Sequence, residues 1–282
     1  MFTMLDYDFM RHAFVAGGIV AVLAGVAGYF LVLRGQAFAG HALSHVGFAG
    51  ATGAALLGVS PMAGMLGLMV LGGVAMGALG QRLRGSDIAI GAILALSLGL
   101  GVLFLHFFTA YASRVTALLF GNVLGVDAGM LWTLAISGIL CLIVLAAISR
   151  PLIFATLQPE MAEAKGVSLR LVGILYLAVV AVATAACIQI VGVLLVFTLM
   201  VCPGAAAQRV TCRLGRGVAL SVVLALAQAW LGIVLAYATD WPVSFWISAL
   251  SVGTYLAAIV LGKRLFRRGP LEPDGAGHSH NH

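Results

Sequence analysis

Charge is what this sequence has least of. Of its 282 residues only 9% are Asp, Glu, Lys or Arg, while 62% are hydrophobic; an ordinary water-soluble domain carries about 25% charged residues. So few charges cannot cover a soluble surface of this size. Acidic groups number nine, and none lies deep in a long apolar run, so carboxylates buried at membrane depth are excluded. Cysteine occurs four times, at 141, 187, 202 and 212, without a close Cys-x-x-Cys pair, which supports neither a disulfide framework nor a zinc knuckle. A GxxxxGK[ST] phosphate loop is missing, as is any soluble stretch that would hold one. A cleavable signal peptide is not expected either, because Met1 to Met10 contains Asp6 and Asp8 where a basic segment would stand.

What the sequence does have is long apolar runs. Segments of roughly 20 residues, each long enough for a helix to cross an approximately 30 Å hydrocarbon core, recur with little polar sequence between them. Their bounds predict nine helices, at about 12–33, 38–57, 61–80, 88–109, 130–149, 171–188, 191–208, 217–238 and 243–262. The join at Ile188 to Gly192 is short enough that eight spans is the alternative count. The predicted fold class is therefore an all-α, polytopic transmembrane helical bundle. Residues 1–11 form a segment outside the cell, 12–268 the membrane domain, and 269–282 a disordered cytoplasmic tail.

The +6 formal charge comes from short basic blocks between apolar runs and forms no continuous basic face, so nucleic acid is not the expected partner. These blocks set orientation instead, because cytoplasmic loops retain Lys and Arg. With the N-terminus outside and the C-terminus inside, Arg34, Arg82, Arg84, Arg150, Lys165, Arg170, Arg209, Arg213 and Arg216 all fall inside. Only Arg11 and Arg114 fall outside, beside Asp6, Asp8, Asp127 and Asp240. The chain is expected in the cell (inner) membrane. Thirty-six glycines, many inside the predicted spans, allow helix backbones to approach closely.

The chemistry-bearing candidates are few. Gly40-His41-Ala-Leu-Ser-His45 places two imidazoles four residues apart on one face of the second helix. Imidazole suits zinc, copper, iron and nickel, and costs less to bury than a carboxylate, so a divalent transition metal is the expected ligand. Interhelical hydrogen bonding is the alternative for both rings. Two ligands do not complete a tetrahedral site; the rest must come from other helices, water or a second copy of the chain. Ser44 is expected to bond back to a helical carbonyl.

His106 reads first as an interface anchor and second as a metal ligand. Cys202, before a Pro203 expected to break its helix, reads first as a small apolar side chain and second as a soft ligand. Asp87 reads as a first-turn acid facing a helix dipole, with contact to a partner's arginine as its alternative. In the loop at about 150–170, Pro159 and Gly166 bracket a short helix carrying Glu160 and Glu163; an ordinary solvated connector fits the pattern equally. If ATP drives this protein, the ATPase is a separate chain and this loop is its docking point. His278, His280 and His282 in the tail would bind metal weakly or be inert.

Five segments in order resemble the membrane permeases of bacterial ABC importers for zinc, manganese and iron. Phe30 to His45 resembles the family's LRR-x-x-x-x-G-D-A-L-S-H stretch, and Ser86-Asp-Ile-Ala-Ile-Gly91 its D-x-x-x-G helix start. Leu118-Leu-Phe-Gly-Asn122 is similar to its LFG element, and Pro159 to Gly166 to its coupling segment. Val191-Gly-Val-Leu-Leu195 through Pro203 to Arg209 resembles VG-x-L-L…P-A-A-x-A-R. The resemblance implies a permease homodimer, or a pair of related permeases. It also implies a cytoplasmic ABC ATPase docked on each chain and an extracytoplasmic solute-binding protein that delivers metal. The permease itself would be no enzyme and hold no permanent cofactor.

By the same resemblance, the D-A-L-S-H segment contributes metal ligands, its acid falling on His41 and its histidine on His45. His in place of Asp removes a hard oxygen ligand and a negative charge, which disfavours manganese relative to zinc; zinc is the favoured cargo, then manganese or iron. Rival readings are a permease for chelated metal (siderophore or cobalamin) and a proton-coupled secondary carrier, the latter disfavoured by the absence of buried carboxylates.

Overall fold

The computed structural model describes residues 6–79, 86–107, 121 and 123–266. These residues form ten α-helices and one short 3-10 turn, Val123–Gly125, with no strand among them. In chain order the helices are α1 (Asp8–Leu33), α2 (Ala37–Leu56), α3 (Pro61–Leu79), α4 (Ser86–His106) and α5 (Ala128–Leu157). Then come α6 (Pro159–Ala164), α7 (Leu169–Val191), α8 (Val193–Val210), α9 (Leu214–Thr239) and α10 (Val243–Phe266). Nine long helices thus stand on the nine expected segments, and α6 is the short helix expected between Pro159 and Gly166.

Seven of the nine (α1, α3, α4, α5, α7, α9 and α10) are long and apolar enough to cross a bilayer. Of the other two, α2 has its hydropathy diluted by His41, His45 and its glycines, and α8 is an 18-residue helix whose last turn carries Gln208 and Arg209. Neither needs to face lipid alone. α2 packs against α3, α4, α7 and α8, and α8 against α1, α10 and α9, so their neighbours supply the apolar cover.

The bundle has an inside and an outside. About two thirds of the span in α1 (67%) and 72% of that in α7 is buried, against 17–33% in α3, α4, α5, α9 and α10. Lipid tails are as apolar as leucine, so helices associate in a membrane through close backbone approach and interhelical hydrogen bonds. α1 uses both. At Gly25 an added Cβ would lie 2.7 Å from the Val222 Cα of α9, and at Gly28 it would overlap the Met200 carbonyl of α8. The α1 carbonyls then accept donors from three other helices: Tyr176 Oη to Ala27 at 3.0 Å, Gln208 Nε2 to Tyr29 at 2.9 Å, Ser221 Oγ to Gly25 at 2.8 Å and Trp230 Nε1 to Phe14 at 3.1 Å.

Two expectations are corrected by the fold. Pro203 does not break its helix: α8 runs through it to Val210. Likewise α5 continues past the expected end at 149, through Pro151, to Leu157, which shortens the loop expected over 150–170. Proline removes one backbone hydrogen bond, but unwinding at membrane depth would strip several, so the continuous helix is the cheaper solution. The break between α7 and α8 falls instead at Gly192, whose φ of 87° is a backbone conformation that costs glycine little.

Gly28→Ala is expected to lower thermal stability in detergent by about 1–3 kcal/mol through overpacking. Gly67→Ala, where an added Cβ meets nothing within 4 Å, is the control and should leave the unfolding midpoint unchanged.

Candidate functional site

The site begins where α1 turns into α2. Gly35, at φ 67°, reverses the chain, and the Gln36 N–H closes the turn on Leu31 O at 2.9 Å. α2 starts immediately afterwards, so His41 and His45 sit in its first turns, one helical turn apart on one face. Their ring centroids are 4.8 Å apart with the planes at 83°. His41 also packs edge-on against Phe197 of α8, at 5.1 Å, and lies 6.4 Å from Phe38. The pair is therefore at the contact between α2 and α8, not on the lipid side.

Ser44 behaves as expected: its hydroxyl donates to His41 O at 2.7 Å, which satisfies the serine without using an imidazole. The Nδ1 of His41 is buried and finds no hydrogen-bond partner among the described residues. A buried polar nitrogen without a partner carries a cost of about 1–3 kcal/mol, and such a nitrogen in neutral imidazole is a metal donor. Two half-buried imidazoles at this separation can bind one transition-metal ion from one side, leaving the other positions to further ligands.

Among the described residues no group of three or more His, Cys, Asp or Glu side chains comes together. Cys202 is on α8 with Phe197 and is half-buried, but it does not join the histidine pair to make such a group. His106 is the last residue of α4, exposed, with its ring 5.6 Å from that of Phe107, the arrangement of an aromatic helix-end anchor. Asp87 lies exposed in the first turn of α4. His278, His280 and His282 lie outside the described residues, as does all of the Leu118 to Asn122 element except Gly121.

α6 is built as its sequence implies. Pro159 opens it and Gly166, at φ 80°, follows its end. Its only buried residue is Ala162, so Glu160, Met161 and Glu163 face outward. It is tied down at both ends: Gln158 N–H donates to Phe154 O of α5 at 3.0 Å, and Val167 N–H donates to Ala162 O at 2.9 Å. Lys165 lies 5.6 Å from the centre of the Phe154 ring. The result is a short, rigid outward-facing helix continuous with the end of α5.

Sequence reasoning missed Phe197 and read Arg34 only as a topology charge. An apolar aromatic within an apolar run gives no local signal. Arg34 had one, since its motif was quoted, but its partner Thr156 is 122 residues away.

Together these features define a polytopic helical membrane protein with a pair of half-buried imidazoles at an internal helix contact. The chain belongs to the ABC 3 transport family, which it matches over residues 6–262. It is accordingly a transport component of the membrane and not an enzyme. Relatives include the manganese transport system membrane protein MntC of Halalkalibacterium halodurans, 31% identical over 238 residues that cover 84% of this chain and 82% of that protein. The manganese import system permease protein ScaB of Streptococcus gordonii is 26% identical over 233 residues, 82% of this chain and 84% of that one. In fold the chain is similar to the structure of PsaBC from Streptococcus pneumoniae in complex with Fab, with a TM-score of 0.81 over 91% of this chain and 92% of that chain at 21% identity.

Phe197→Ala removes the ring that fixes one side of His41. It should weaken binding of added zinc to the purified protein, read by titration calorimetry, while leaving the amount of protein in the membrane unchanged.

Proposed function

We propose that this chain is the permease of an ABC importer for a divalent transition metal, with zinc ahead of manganese. The observation that carries this reading is the His41–His45 pair at the α2–α8 contact, with a buried and unpartnered nitrogen on His41. The family and the manganese-transport names of the relatives support metal import as the activity. Two imidazoles in place of an oxygen-containing set favour zinc, because carboxylate and water suit manganese better. Manganese is the second reading, favoured by those same relatives.

The reading includes nine spans, the N-terminus outside and the C-terminus in the cytoplasm, so that α6 and its two exposed glutamates face a cytoplasmic ATPase. Two copies of the chain, or this chain with a related permease, form the pathway. An extracytoplasmic binding protein delivers the ion to it. The helices then alternate between outward and inward access around His41 and His45, and ATP hydrolysis in the partner resets them. The permease supplies ligands and a path; it makes and breaks no covalent bond.

His41→Ala and His45→Ala should each reduce ATP-dependent zinc uptake by about tenfold or more, the lower end of the range already reached by outer-shell partners of metal sites. His41→Asp should raise manganese uptake relative to zinc. Wild-type uptake of both metals in both alanine variants sinks the site. Orientation has its own check at Cys212, which is exposed between α8 and α9: a membrane-impermeant thiol reagent should label it in inside-out vesicles and not in intact cells.

A further inference from the structure

Arg34 is the charged side chain on which the helices around the site converge. It is half-buried just past the end of α1, and its guanidinium lies 5.5 Å from the centre of the Tyr176 ring of α7, within the range of a cation–π contact. Tyr176 is fully buried, with its hydroxyl on Ala27 O at 3.0 Å, so this face of the guanidinium is held against fixed ground. The two edges are used differently. Nη1 donates to Thr156 Oγ1 at 3.1 Å, and Nε donates to Gln36 Oε1 at 3.0 Å. Among the described residues it makes no ion pair with a carboxylate.

Its two acceptors belong to the two parts of the molecule that a driven permease has to connect. Thr156 is in the last turn of α5, anchored by its own hydroxyl on Leu152 O at 2.6 Å, and α5 passes through Gln158 directly into α6. Gln36 is the residue from which α2 starts. Its carbonyl accepts Ala39 N–H at 3.0 Å and Gly40 N–H at 3.4 Å, one residue before His41. A rigid planar fork can bridge two acceptors in this way where a lysine ammonium, a single point charge, holds no such geometry. Next to it, Gly35 at φ 67° with open space around it allows α2 to pivot.

We propose that Arg34 is a coupling strut: through Thr156 and Gln36 it transmits displacement of α6 to the histidine-bearing start of α2. The inference rests on the importer reading above and adds to it the residue that joins drive to site. Arg34 contacts no cargo and acts by position. A coupling element, unlike a purely structural one, changes the ratio between the two processes it joins and leaves each able to run.

The test is metal moved per ATP hydrolysed by the complete complex, permease with its ATPase and binding protein, in proteoliposomes supplied with zinc or manganese. Thr156→Val removes the acceptor at nearly constant volume and leaves the guanidinium in place. It is expected to keep ATP hydrolysis while the metal-to-ATP ratio falls by about fivefold or more, the lower end of typical coupling between sites. Arg34→Gln, read the same way, serves if that variant does not assemble. A wild-type ratio overturns the strut, and so does a proportional fall of hydrolysis and uptake, which marks a structural role. Wild-type complex that shows no ATP-dependent uptake of either metal overturns the function itself instead.

Discussion

The constraint on which this structure depends is that a membrane offers helices no hydrophobic reason to associate. Lipid and leucine are equivalent solvents, so a bundle has to be held by contacts lipid cannot make. α1 is where those contacts concentrate. Its glycine face admits the backbones of α8 and α9, and its carbonyls, each with a second lone pair beyond the helical bond, take donors from α7, α8 and α9. Each of these bonds is worth only about 0.6 kcal/mol on average in a membrane. Several on one helix, together with close backbone contact, make α1 the axis around which the others are arranged.

That axis permits α2 to exist where it does. A helix with two histidines and several glycines is a poor span by itself, and burying a polar imidazole without a partner is unfavourable. α2 is tolerated because α3, α4, α7 and α8 cover it, as Gly50 and Gly64 let α2 and α3 come into backbone contact. The polar pair is then presented inward at α8, and an unpaired buried nitrogen is left on His41 Nδ1. α8, entered through the Gly192 turn, belongs to the same arrangement: α1, α2, α9 and α10 pack around it.

Much of this was legible in the chain. The scarcity of charge required a membrane protein, the apolar runs placed the nine long helices within a few residues except at the end of α5, and Pro159 with Gly166 marked α6. The His41–His45 spacing gave a shared face because helix geometry alone decides it. The failures have two causes. Pro203 was read by the rule for helices in water, where a broken helix can bond to solvent; in hydrocarbon it cannot, and α8 continues through it. The contacts of His41 with Phe197 and of Arg34 with Thr156 and Tyr176 escaped because they join residues more than a hundred positions apart, which no local pattern encodes.

The sequence by itself determined the class of protein, the helices and the identity of the two imidazoles, because hydropathy and helical periodicity are local properties of the chain. Only the tertiary structure decided that α1 and α7 are the inner helices, that His41 meets Phe197 of α8, and that Arg34 joins the end of α5 to the start of α2. Those facts follow from which glycine faces and which donors find each other across the bundle. Such choices are made by the fit of whole helices and not by any segment of the sequence.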